Sequence, residues 1–183
     1  MIPLGLARRY ARALFMGASR SGETDAVEQD LQLIDATLRA TPTLGELLGQ
    51  PRIPTEEKDG LLMRTYQGRI GERTLEFLRL VLRKKRHEVL PFIEPEYRRM
   101  METQRNQLRV HITSAFPLED GERGFLTEKL SSLTGHQILL EEAVEPRLLG
   151  GIVIRYGDKQ IDGSLRSHLD RLRLELKETR VIG

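Results

Sequence analysis

Four histidines, at positions 87, 111, 136 and 168, and no cysteine are what the 183-residue chain offers for nucleophilic, redox or transition-metal chemistry. Without a thiolate there is no disulfide framework, no CxxC redox pair and no thiolate zinc site. His87-Glu88 lacks the second histidine that completes a zincin motif. His168 sits close to Asp170 and Arg171, but a catalytic triad needs an exposed serine and an oxyanion hole, and no G-x-S-x-G occurs. An ordinary helix histidine is the expectation there. Asp158 and Asp162 lie four apart, with Gly157 and Gly163 beside them. A calcium loop needs oxygen ligands at alternating positions and a terminal Glu, and Lys159 and Ile161 break that pattern; aspartates that shape turns are the simpler reading. Leu149-Gly150-Gly151 is too short to cradle phosphates and precedes a strand rather than a helix. No stretch brings a nucleophile, a base and an oxyanion site together. The chain is therefore expected to have no catalytic residue, no cofactor and no metal, and not to be an enzyme.

One charged cluster stands out, Arg83-Lys84-Lys85-Arg86-His87. It fits a solvated helix C-terminus complementing the dipole, a nucleic-acid contact, or a contact with anionic lipid. The first reading is favoured, because no aromatic residues interleave the bases as stacking platforms.

The elements that carry these residues fall into two groups. Leu6, Tyr10, Ala13 and Leu14 repeat at helical spacing and predict a helix from about Pro3 to Ser19, ended by Ser21-Gly22. A second helix starts with Thr24 as N-cap, carries Val27, Leu31, Ile34 and Leu38, and stops at Pro42. Thr43 to Gln50 reads as a short helix and Thr55 to Tyr66 as a fourth. The fifth is apolar around most of its circumference, through Leu75, Phe77, Leu78, Leu80, Val81 and Leu82. Such a helix is buried, or offers one face to a partner. A sixth carries Leu90, Ile93, Tyr97, Met100 and Met101, with Pro95 early in it or kinking it. Short connections favour an antiparallel six-helix bundle over residues 1–105. The small Ala11 and Ala13 among bulky neighbours on the first helix fit bundle core or a groove for a partner helix, and periodicity does not choose between them.

Near residue 105 the period changes to two. Leu108, Val110 and Ile112 alternate with Arg109, His111 and Thr113. A helix from about Glu119 to Leu133 follows, with Leu126, Leu130 and Leu133 inward and Gly135 as its stop. Strands are expected over Gln137 to Ala143 and Gly151 to Tyr156. A turn at Gly157-Asp158 leads to a short return strand, Gln160 to Asp162. A last helix spans about Leu165 to Lys177, with Leu165, Leu169, Leu172 and Leu176 as its stripe and Ser164 as N-cap. The fold class is α+β: a helical bundle, then a small strand-helix-strand-strand-helix domain over residues 106–183.

Composition limits the rest. Lys and Arg number 29 against 27 Asp and Glu, a surplus too small for a nucleic-acid footprint. The surplus is +3 over residues 1–105 and −1 over 106–183, counted from the sequence. The longest run without a charged residue is Leu130 to Leu140, 11 residues, whereas a membrane-spanning helix needs about 20. A reducing, cytoplasmic-type compartment is expected, with any membrane met through a partner.

Two segments carry a resemblance. Ala7-Arg8-Arg9-Tyr10-Ala11-Arg12-Ala13-Leu14-Phe15 is similar to the A-R-x-Y-A-x-A-[LI]-[FY] opening of the delta subunit of bacterial F-type ATP synthase, called OSCP in mitochondria. The run from Leu149 to Arg166 resembles that family's C-terminal signature through Gly150, Gly151, Gly157, Asp158, Asp162, Gly163, Ser164 and Arg166. Leu90-Pro91, Glu102 with Arg105-Asn106, Ser114-Ala115 with Pro117-Leu118, and Leu133-Thr134-Gly135 match between them in order.

The resemblance implies a non-catalytic stator subunit that joins the catalytic head to the peripheral stalk and resists rotor torque during proton-driven ATP synthesis. A groove between the first and fifth helices would take the N-terminal helix of an alpha subunit. Tyr10, Ala13 and Leu14 fall on one wall, and Leu80, Arg83 and Lys84 on the other. The C-terminal region would meet the b subunits. The protein would be one copy per complex, monomeric when isolated, and peripheral on the cytoplasmic face of the bacterial cell membrane. The signature residues are expected to shape the fold, with Arg166 pairing with Asp162. Lys84-Lys85-Arg86-His87 replace the glycine or asparagine turn that relatives often have, so a less sharp break between the fifth and sixth helices is expected. The alternative is a basic nucleic-acid-binding adaptor using Arg83 to Arg86.

Overall fold

The computed structural model describes residues 4–171. The chain is α+β and divides into two compact units, Met1–Met101 and Glu102–Gly183. The sequence pattern puts the junction at residue 105. The structure divides inside the last turn of a helix, between Met101 and Glu102, and Glu102 accepts a hydrogen bond from Arg109 of the second unit (Nε to Oε1, 2.8 Å).

The first unit holds α1 (Leu4–Ser21), α2 (Thr24–Ala40), α3 (Pro42–Gly49), α4 (Thr55–Tyr66), α5 (Glu72–Arg83), a 3₁₀ turn (His87–Val89) and most of α6 (Leu90–Gln104). The apolar stripes expected from spacing converge on one core that draws on every helix. Ala7, Ala11 and Ala18 of α1 have no exposed surface, so neighbouring elements approach its backbone closely. Tyr97 of α6 is fully buried, packs edge-on against Phe15 and donates its hydroxyl to the Thr24 carbonyl at 3.1 Å. Burial pushes the Tyr97 phenol up to about 12. Pro95 lies inside α6, where it removes one backbone donor.

Two expectations are corrected here. Thr24 is the first residue of α2 and not its N-cap; Glu23 takes the cap position, and its carboxylate is held by Ser21 and Arg73 instead of the helix end. The break between α5 and α6 is sharp. Lys84 closes α5, and Lys85 takes the left-handed conformation at φ 56°. The Lys85 and Arg86 amides donate back to Leu82 and Val81 at 2.8 and 3.0 Å. This is the Schellman arrangement with lysine in the position glycine usually fills, so the turn forms without the residue that signals it.

The second unit is a four-stranded sheet in the order β2-β1-β3-β4, from β1 (Gln107–Ser114), β2 (Gln137–Val144), β3 (Ile152–Tyr156) and β4 (Lys159–Asp162). β1 and β2 are parallel, Val110 opposite Leu140, and are joined through α7 (Asp120–Thr134). β3 pairs antiparallel with β1 and with β4. Period two sorts the faces of β1. Val110 and Ile112 are buried with Leu130 of α7 and Ile138. Arg109 and His111 emerge on the other face and meet Glu141 of β2, His111 Nδ1 lying 2.9 Å from Oε2. α7 opens with a capping box between Glu119 and Glu122 and ends at Gly135 in the left-handed conformation, φ 72°. Leu133, expected inward, is 72% exposed, because the last turn of α7 lies beyond the buried cluster.

The signature residues are construction pieces. Gly151 has φ 74°, and a Cβ there would stand 2.2 Å from the Gly163 carbonyl oxygen. A Cβ on Gly150 would stand 2.6 Å from Leu165 Cδ1. The segment after β4 is thus laid directly on the entry to β3, fixed by Gly163 N–H to Ile152 O (2.9 Å) and Leu165 N–H to Gly150 O (3.0 Å). Gly157 supplies the positive φ of 54° at the first position of the β3–β4 turn, and Asp158 is exposed beside it. Asp162 accepts from the Ser164 amide (2.9 Å) and the Ser167 hydroxyl (2.6 Å), while Ser164 Oγ accepts from the Ser167 amide (3.2 Å). Ser164 therefore caps the helical stretch 165–171 as expected. Arg166 does not pair with Asp162: its guanidinium lies 4.0 Å from Asp170, one turn on, and the Asp162 oxygens are taken by the two serines. Leu172 and Leu176 of the expected stripe lie outside the described residues.

Gly151→Ala is expected to destabilise the protein by more than about 2 kcal/mol, since it meets both a forbidden φ and a fixed backbone oxygen. Gly150→Ala should cost less, because the Leu165 side chain can give way. Urea unfolding followed by circular dichroism compares the two.

The Ser167 hydroxyl, then the Ser164 groups, hold the Asp162 carboxyl below its ordinary value. A depressed carboxylate adds stability above its unfolded pKa and loses it as pH falls through the folded value. Carboxyl-carbon NMR titration should show the Asp162 midpoint below that of an unperturbed aspartate, and Ser167→Ala should move it upward.

Candidate functional site

α1 and α5 each have a face left over once the core is made. On α1, Leu6, Tyr10, Ala13, Leu14 and Gly17 recur at three- and four-residue spacing; on α5, Arg73, Glu76, Leu80 and Arg83 do the same. Together they line an open trough of about 770 Å³ in the first unit. Leu14 and Phe77, both buried, form its floor, and Tyr10 rests edge-on against Phe77 with ring centroids 6.2 Å apart. Leu80 stands on the α5 side, 44% exposed, on the same face of that helix as the charged Arg73, Glu76 and Arg83.

The walls are held by polar contacts that reach across the chain. Asp30 of α2 accepts from the Gly71 amide (2.9 Å) and the Thr74 hydroxyl (2.6 Å), so a side chain 41 residues away caps the start of α5. Thr74 is fully buried, and this bond satisfies it. Arg79 grips Asp59 of α4 with two parallel hydrogen bonds of 2.6 Å, which hold the Asp59 carboxyl below its usual value. Arg73 binds Glu23 at 2.7 Å, tying α5 to the α1–α2 turn, and the Ser21 hydroxyl with Arg73 lowers the Glu23 pKa. Arg8 on the other flank of α1 binds Glu96 of α6 at 3.0 Å.

Of the residues expected on the two walls, Tyr10, Ala13, Leu14, Leu80 and Arg83 line the trough. Lys84 does not: α5 ends at that residue, and the chain turns away at Lys85. Leu6 and Phe77, which the spacing marks only as stripe residues of their helices, and the rim residues Arg9, Arg73, Glu76 and Arg79 line the trough as well; the same helical spacing from Tyr10 and Leu80 reaches them. The Asp30 cap and the Arg79–Asp59 grip had no local signal at all. Arg86 lies 3.8 Å from Glu88, and the basic run finishes a helix, so nothing here supports the nucleic-acid alternative. Among the described residues no group of histidine and carboxylate side chains is placed to hold a metal ion, and no helix is long and apolar enough to cross a membrane.

A shallow trough with an apolar floor and a charged rim has the form of a docking surface on a structural subunit of a larger assembly. The comparisons agree with that class. The family model for the ATP synthase delta (OSCP) subunit matches residues 6–176. A protein of Syntrophomonas wolfei named ATP synthase subunit delta is 31% identical over 99% of this chain and 100% of its own length. The protein of that name from Chlorobium phaeobacteroides is 36% identical over 95% of this chain and 96% of its own. A chain in the Toxoplasma gondii mitochondrial ATP synthase hexamer shares the fold with a TM-score of 0.68 at 22% identity, covering 93% of this chain and 97% of that one. The chain belongs to the ATP synthase delta (OSCP) subunit family. It is a structural, non-catalytic subunit of the stator of F-type ATP synthase.

Leu78 and Leu80, two residues apart, should behave oppositely. Leu78 is 2% exposed, and Leu78→Ala should cost about 2–5 kcal/mol. Leu80→Ala removes a half-exposed side chain and should cost less than about 1 kcal/mol. Thermal unfolding of the two variants checks this.

Proposed function

We propose that residues 1–105 act as a six-helix bundle whose trough between α1 and α5 receives the N-terminal helix of an alpha subunit. Residues 106–183 meet the C-terminal ends of the b subunits in the same reading. The protein then serves as one copy per complex, on the cytoplasmic face of the bacterial cell membrane, and needs no cofactor. The observation that supports this most directly is Leu80, an apolar side chain left 44% exposed over a floor of Leu14 and Phe77. The apolar stripe of an amphipathic helix would fill that arrangement.

The mechanism is mechanical. Rotor torque pulls on the head, and the stator must hold it without a covalent bond. A Kd near a nanomolar corresponds to about 12 kcal/mol, which a few well-packed apolar anchors in a trough can supply. The polar contacts around the trough oppose shear of α5 against α2, α4 and the α1–α2 turn, and of α1 against α6, so that load is passed through the unit and not absorbed by it.

Tyr10→Asp or Leu80→Asp is expected to weaken binding of an alpha-subunit N-terminal peptide by more than about tenfold, with helical content unchanged. Titration calorimetry alongside circular dichroism measures both. Normal affinity in two folded variants would refute the proposal.

A further inference from the structure

We infer that the helix occupying the trough carries carboxylates at one end of its contact, where they pair with Arg9 of α1 and Arg83 of α5. This rests on the helix-in-trough reading above and adds the chemistry of the ligand. α1 and α5 run antiparallel along the trough. Gly17 lies beside Arg73, its Cβ position 3.4 Å from Nη1, and Tyr10 lies beside Phe77. Continuing in the same sense, Leu6 and Arg9 reach the end of the trough that Leu80 and Arg83 occupy. From Leu6 to Gly17 the trough runs about 17 Å at 1.5 Å per residue, three turns of a docked helix.

The four rim arginines are not equivalent. Arg73 is held by Glu23 at 2.7 Å, and Arg79 by both oxygens of Asp59. Arg9 and Arg83 are exposed, and their guanidinium groups make no hydrogen bond or ion pair among the described residues. Asp59 acts on Arg83 through its field, but its oxygens are already occupied by Arg79. Glu76, the one acid lining the trough among the described residues, acts on Arg79. The two rim guanidinium groups that form no ion pair among the described residues are therefore gathered at one end, flanking the apolar floor.

A docked helix covers that end and strips water from it. A neutral helix would leave two guanidinium groups partly desolvated without partners, and a basic one would be repelled. A helix with an apolar stripe and Glu or Asp on its flanks satisfies both the floor and the rim. Polarity follows as well: with the carboxylates gathered at one end, the helix can be seated in one direction only.

The test is titration calorimetry of the full chain with the alpha-subunit N-terminal peptide, at about 50 mM and about 500 mM salt. Combining Arg9→Gln with Arg83→Gln is expected to weaken binding about fivefold to tenfold at low salt and to remove most of the salt dependence. A peptide with its carboxylates changed to amides should bind the unmodified protein as weakly, and should not distinguish it from the double variant. If the double variant binds like the unmodified protein at both salt concentrations while Leu80→Asp still abolishes binding, the charge pairing is wrong and the trough reading stands. If the peptide fails to bind the unmodified protein, both are wrong.

Discussion

Close seating of α1 is the constraint on which the first unit depends. Ala7, Ala11 and Ala18 have no exposed surface and contribute only a methyl group each, so neighbouring elements pack against the α1 backbone itself. A helix held that deeply on one side presents its adjacent face at a fixed height and angle. That face carries Leu6, Tyr10, Ala13 and Gly17. Larger side chains in the alanine stripe would lift α1 away and change the depth of the trough.

The second wall is fixed by different physics. α5 buries Thr74, Leu75, Phe77, Leu78, Val81 and Leu82, which sets its rotation about its own axis. Burial alone does not fix its position along that axis. The Asp30 cap at its first turn, the Arg79–Asp59 pair midway and the left-handed Lys85 at its end do so. Exposed ion pairs add little to stability, but directional contacts at three points along a helix resist sliding. For a subunit that transmits torque, register under load matters more than the free energy of folding.

The second unit reaches rigidity through backbone proximity. The stretch around Gly163 lies so close to Gly151 that no side chain fits between them, and the amides and carbonyls of the two segments pair directly. Asp162, Ser164 and Ser167 then close the turn into the helical stretch with three hydrogen bonds. The outer face of the sheet sets Arg109 and His111 against Glu141, polar side chains that keep that face solvated and its register specified. The family signature is thus a record of how one strand entry accommodates one helix start.

The sequence by itself determined which segments are helix or strand and most of what they bury, but not every cap or stripe position: Thr24 is not the N-cap of α2, and Leu133, Leu165 and Leu169 are exposed. Those properties depend on neighbours within about four residues: the stripes of α1, α2, α5 and α6, the alternation of β1, the Ser164 cap and the Gly157 turn were all legible. The two motifs, each local, were enough for the family. What only the tertiary structure decided depends on residues far apart in the chain. Counting apolar residues made α5 look apolar around most of its circumference, whereas in the structure Glu72, Arg73, Glu76, Leu80 and Arg83 form an exposed face; that Leu80 falls on it depends on where the neighbouring helices lie. Nothing near Asp30 marks it as the cap of a helix 41 residues on. Lys85 concealed a sharp turn because the energy that holds it left-handed comes from the two backbone bonds to Leu82 and Val81 and from the packing of α6, not from its own preference. Arg166 was matched to the wrong aspartate for the same reason: charge type is visible in a sequence, but which oxygens are already taken is a property of three-dimensional placement.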